Sequence, residues 1–121
     1  MAIVRYLVDD VEAAIAFYRD HLGFVLEQQM GPAFAIVTRD DLSLWLSGPE
    51  SSAARPMPDG RRPEPGGWNR TVVVVENLAA RVAELKQAGL TFRNEIVSGP
   101  GGKQIVLEDS AGNPVELFEP R

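Results

Sequence analysis

Apolar and polar positions alternate from residue 3 to residue 8, with Val4, Tyr6 and Val8 on one side and Ile3, Arg5 and Leu7 on the other. This predicts a strand with two unlike faces. Asp9 and Asp10 follow as helix caps, and Val11, Ala14, Ile15, Tyr18 and Leu22 then recur at helical spacing up to Gly23. One stripe of that helix can cover the strand face that carries Val4, Tyr6 and Val8. Three extended segments are expected next, near 25–30, 33–38 and 42–47, separated by turn signals at Gly31-Pro32 and Asp40-Asp41. The order is strand, helix, three strands.

From 48 to 69 the pattern is lost, and Pro, Gly, Ser and Arg dominate, as in a connection without packed structure of its own. Then the pattern begins again. "RTVVVVEN" reads as a strand, Asn77 as a cap, and Leu78, Val82 and Leu85 as a helical stripe ending at Gly89. Further strands are expected near 91–97, 103–108 and 114–118; Gly112 suits the last turn, and Pro114 suits a strand entrance, where its missing N–H is tolerated. Laying Ile15 on Val82 also lays Asp10 on Asn77 and Ile3 on Arg70. The chain therefore reads as one domain over 1–121, with a module at 1–47, a linker at 48–69 and a second module at 70–121. A four-stranded sheet with one helix has one uncovered face, so two such modules are expected to bring those faces together around a concavity.

Composition narrows the chemistry. The chain has 121 residues, 45% of them hydrophobic, enough for one compact domain with a sizeable core. A formal charge of −5 argues against nucleic acid or an anionic membrane surface as partner, since those need clustered positive charge. There is no cysteine, hence no disulfide, thiolate nucleophile or cysteine-bound zinc, and His21 is the sole imidazole. It falls in the last turn of the first helix, a place for capping or surface charge. The longest apolar run, 13–18, is far short of the ~20 residues that span a bilayer, and no basic segment with an apolar run opens the chain. The expected location is cytoplasmic.

"VDDVEAAIAFYRDHLGF" at the start and "LEDSAGNPVELFEP" near the end, in two-fold repeated order, resemble the vicinal oxygen chelate superfamily of glyoxalases, bleomycin-resistance proteins and extradiol dioxygenases. The resemblance covers nearly the whole chain. It implies an α+β fold of two βαβββ modules, a curved mixed sheet around a cavity with the helices outside, within a homodimer. In metal-using members, the first and last strands of each module supply a ligand, commonly His or Gln on the first and Glu on the last. Here those positions fall on Ile3, Trp45, Arg70 and Glu116. Ile3 cannot ligate, and the permanent cation of Arg70 repels a divalent ion. With one carboxylate left, neither a metal nor any other cofactor is expected.

Alternation places Ile3, Arg5, Leu7, Ser43, Trp45, Ser47, Arg70, Val72, Val74, Glu116 and Phe118 on the uncovered faces, and Leu42, Leu44, Leu46, Thr71, Val73, Val75, Val115 and Leu117 beneath the helices. From these, Arg5, Leu7, Ser43, Trp45, Arg70, Val72, Glu116 and Phe118, with Trp68 from the linker, are the expected ligand-binding residues. Such a lining suits an aromatic small molecule, rings against indole and charges fixing orientation. Trp45 also reads as an ordinary core aromatic. When buried, Glu116 needs either a partner, which one arginine can supply, or a proton, leaving the other arginine for a ligand oxygen. Residues 48–69 read as a solvated crossing or as a lid hinged at Gly66-Gly67 with Trp68 as its contact. The leading expectation is a metal-independent binder that sequesters an aromatic natural product or antibiotic. The rivals are an enzyme of the same superfamily, a lyase, isomerase or dioxygenase-like protein in which Glu116 is general base or metal ligand, and a dimeric scaffold with a vestigial pocket.

Overall fold

A computed structural model describes all residues, Met1–Arg121. It resolves into two compact units, Met1–Gly66 with Ser110–Gly112, and Gly67–Asp109 with Asn113–Arg121.

In the first unit, β1 (Ala2–Leu7) leads into α1 (Val11–Leu22), followed by β2 (Val25–Met30), β3 (Phe34–Arg39) and β4 (Leu42–Ser47). The sheet order is β1-β4-β3-β2. β1 and β4 run parallel while the others alternate in direction, because α1 carries the chain back over one face before the meander begins. The Asp10 side chain accepts from the Ala13 N–H at 3.2 Å, and Gly23 ends α1 in the left-handed region at φ 72°. Every residue of the predicted stripe is buried, and Phe17 joins it. Tyr18, fully buried, meets Tyr6, Phe17 and Phe24 edge to face. Beneath α1 lie Ala35, Val37, Leu44 and Leu46, all without exposure.

The second unit repeats the plan with β5 (Thr71–Val74), α2 (Leu78–Gln87), β6 (Val97–Gly99), β7 (Gly102–Glu108) and β8 (Pro114–Pro120), in the order β5-β8-β7-β6. β5 and β8 are the parallel pair. Leu78, Val82 and Leu85 of α2 are buried, as are Val73, Ile105, Leu107, Val115 and Leu117. The architecture is α+β, two βαβββ modules, as expected from the repeat.

Two expectations are corrected. The extended segment placed at 91–97 is not a strand over that length: Phe92 makes a single bridge to Leu107, and β6 begins only at Val97. The cause is Asn94, whose side-chain oxygen accepts the Val106 N–H at 2.9 Å and takes the place of a ladder carbonyl. The connection at 48–69 is also more ordered than its composition suggests. It holds a 3₁₀ turn at Ser52–Ala54, with the Ser51 hydroxyl donating to the Gly48 carbonyl at 2.7 Å, and a loop closed between Met57 and Arg61.

Candidate functional site

Cross-strand register decides what each uncovered face presents. In the first unit Arg5, Trp45, Ile36 and Gln28 form one rung across all four strands, on the side away from α1. Leu7, Ser47 and Phe34 make the next rung, Ile3, Ser43 and Thr38 the one before. The alternation read from β1 and β4 is the one found: Tyr6, Leu44 and Leu46 are buried beneath the helix, while Ile3 is 57% exposed on the other side.

On this rung the Arg5 guanidinium lies over the Trp45 ring, 5.1 Å from its centroid, and Arg5 Nη1 donates to Ser47 Oγ at 3.0 Å. Phe34 meets the same indole edge to face at 5.7 Å. No carboxylate comes within 4.0 Å of Arg5. The cation is thus held in position by an aromatic face and a neutral hydroxyl, neither of which cancels its charge. Ser43 shares the face but is itself buried. Phe34 and Ile36 were missed by the sequence reading. Alternation along β3, once registered against Trp45, is the signal that places them.

In the second unit Val72, Glu116 and Val106 form a rung on the side away from α2, with Val74 and Phe118 on the next. Val72 is 48% exposed, as alternation predicts, whereas Glu116 is only 8% exposed. Arg70 answers that burial: its Nε and Nη2 both reach Glu116 Oε1, at 3.0 and 2.9 Å, and its Nη1 donates to the Trp68 carbonyl at 3.3 Å. A second ion pair joins Arg93 Nε to Glu108 Oε2 at 2.8 Å. Arg93 Nη1 also donates to the Gly67 carbonyl at 2.7 Å, and its guanidinium lies 4.5 Å from the centre of the Trp68 ring. Nothing in the sequence marked Arg93 or Glu108, since both lay in segments read as ordinary strands.

The four positions expected from the resemblance to correspond to metal ligands, Ile3, Trp45, Arg70 and Glu116, hold an alkyl chain, an indole, a guanidinium and a carboxylate whose Oε1 already receives two N–H groups. An indole N–H is a donor with no lone pair to offer, and guanidinium is never deprotonated. No three His, Asp or Glu side chains gather elsewhere. These residues do not suit a divalent ion. His21 stands apart in α1, its ring 6.0 Å from that of Phe17. No helix is long and apolar enough to cross a membrane.

Paired βαβββ modules, each with one covered and one uncovered sheet face, define a class of fold shared by enzymes and binding proteins alike. The family model described as Glyoxalase/Bleomycin resistance protein/Dioxygenase superfamily matches residues 1–117, and the chain belongs to that superfamily. No curated protein matches it. Among solved structures, TnmS3, an antibiotic binding protein from Streptomyces sp. CB03234, is 26% identical with a TM-score of 0.74, over 98% of this chain and 93% of that one. Lactoylglutathione lyase from Agrobacterium tumefaciens shares the fold at 21% identity and a TM-score of 0.75, over 98% of this chain and 92% of that one. So does the bleomycin-binding protein from bleomycin-producing Streptomyces verticillus, solved with copper(II)-bleomycin, at 22% identity and a TM-score of 0.66, over 99% and 95% of the two chains.

Proposed function

We propose that this protein is a metal-independent binder that sequesters a planar aromatic natural product or antibiotic bearing an anionic or strongly accepting oxygen. The observation that carries the reading is Arg5, stacked on Trp45 and tied to Ser47, with no carboxylate in reach. A ring that packs beside the indole brings its carboxylate, phenolate or quinone oxygen to guanidinium N–H groups already oriented to receive it. Leu7 and Phe34 on the neighbouring rung extend the apolar contact. The likeness to TnmS3, an antibiotic binding protein, supports the antibiotic-binding part of this reading. The work of such a protein is affinity, and it acts as a cytoplasmic homodimer.

The enzymatic alternative with Glu116 as general base is less well supported by the geometry. A base must present a lone pair to the substrate proton; Arg70 takes Oε1 of Glu116, which leaves only Oε2 for that role on a residue that is itself buried. Beside Val72 and Phe118 on the uncovered face of the second unit, the Arg70–Glu116 pair is read instead as a neutral structural pair.

Calorimetric titration with 2-naphthoate and its neutral amide tests the reading. The carboxylate should bind more tightly, and both Arg5→Leu and Trp45→Ala should weaken it at least tenfold. Unchanged affinity in both variants rejects the site. Recovery of the ligand unaltered after prolonged incubation supports sequestration, and appearance of a product transfers the protein to the enzymes.

A further inference from the structure

Each unit carries an arginine stacked on a tryptophan, but the two stacks differ in charge. Arg5 over Trp45 has only a hydroxyl for company. Arg93 over Trp68 is neutralised by Glu108 and further held by the Gly67 carbonyl. Beside this second stack is a concavity of about 540 Å³ lined by Gly67, Trp68, Thr91, Phe92, Arg93 and Glu108. The hollow is shallow and open to solvent, so a ligand there rests against its wall rather than being enclosed. Two aromatic rings and one closed ion pair make up its functional lining.

We infer that this concavity is a second ligand site, selective for an uncharged, electron-rich planar aromatic molecule such as a phenol or polyphenol. Several features converge. Trp68 is 70% exposed, which leaves ring area for a planar molecule to cover. Arg93, itself held by Glu108 and by the Gly67 carbonyl, packs on the indole from one side, which lowers the cost of ordering that ring against a ligand. With one cation already on it, the Trp68 ring is better matched to an electron-rich ring than to a second cation. The Arg93–Glu108 pair removes the net charge that would select an anion, while the second carboxylate oxygen of Glu108 can accept from a ligand hydroxyl. Phe92 supplies the adjoining apolar wall, with Lys86 on its ring at 5.7 Å.

The chain has two tryptophans, one in each stack, so the indole N–H signals in a ¹⁵N–¹H correlation spectrum report the two sites separately. Trp45→Phe and Trp68→Phe variants assign the signals. Titration with 2-naphthol, uncharged at pH 7, should shift the Trp68 signal saturably in the Trp45→Phe protein, at least fivefold more tightly than 2-naphthoate does. Glu108→Gln, which leaves the Arg93 charge without its carboxylate, should invert that preference. Thr91→Phe, which fills the concavity, should abolish the Trp68 response while the rest of the spectrum is preserved. A Trp68 signal unmoved by millimolar 2-naphthol, or equal preference for the two probes before and after Glu108→Gln, overturns the inference. The outcome is separate from that at Trp45, because either signal can respond while the other stays still.

Discussion

Arg70 gives two N–H groups to one oxygen of Glu116, and the pair persists on a half-covered surface because neither charge is left alone. Removing one partner is costly where removing both is not, since a carboxylate stripped of its cation keeps its desolvation penalty. Arg70→Leu should therefore cost about 2–4 kcal/mol in urea unfolding. Arg70→Leu combined with Glu116→Leu should recover most of that loss. Equal destabilisation of the single and double variants would mean that packing, not charge, is what Arg70 supplies. Arg5 offers the contrast: with a hydroxyl and an indole as its only partners, Arg5→Leu should alter stability by no more than about 1 kcal/mol while weakening 2-naphthoate. That Glu116 needs an arginine follows from its chemistry alone; that the arginine is Arg70 and the one left over is Arg5 depends on the register of β5 against β8 and of β1 against β4, which no single residue encodes.

At the scale of the elements, β1, α1, β4 and the stripe of α2 are legible in the sequence because each has one buried and one open side, and that asymmetry is written as period 2 or 3.6. β6 is not, because a side chain there does the work of the backbone. Asn94 lends its oxygen to the Val106 N–H, and the ladder is interrupted between Phe92 and Val97 although the residues there remain strand-like. Asn94→Ala should leave that buried amide unpaired, cost about 1–3 kcal/mol and speed hydrogen exchange at Val106 above that of its β7 neighbours. Unaltered exchange there would show that the backbone supplies another acceptor. The turn into β7 sets a harder limit. Gly102 has φ 152°, and a Cβ at that position would lie 2.2 Å from the Glu119 carbonyl oxygen. Both the backbone conformation and the contact exclude a side chain, so Gly102→Ala should destabilise the second unit by about 2–4 kcal/mol. Proteolysis that cuts near 99–103 first in this variant would locate the damage; wild-type resistance would mean that β7 and β8 can separate freely at that end.

For the molecule as a whole, the choice between a metal site and an aromatic site is a choice about what stabilises the folded chain. Anything that binds the folded form alone adds RT ln(1 + [L]/Kd), about 2.7 kcal/mol at a hundredfold excess over Kd, which for a domain of this size is roughly 10 °C in melting temperature. Zinc, nickel or manganese at equimolar concentration should move the melting temperature by less than about 1 °C, and chelator should do nothing, because Ile3, Trp45 and Arg70 offer no lone pairs. 2-Naphthoate at saturation should give the larger shift. Salt adds a second discriminator. The chain carries a net charge of −5, so an anion approaches against a repulsive field that salt screens, while its contact with Arg5 is an attraction that salt also screens. The two effects oppose each other, and 2-naphthoate affinity should change by less than about threefold between 20 and 500 mM salt. A steep fall with salt would mean that several cations meet the ligand, which the paired state of Arg70 and Arg93 does not allow. A melting temperature that rises with metal and not with the aromatic acid would place the donor set elsewhere in the chain and end the case for Arg5 and Trp45 as the ligand's seat.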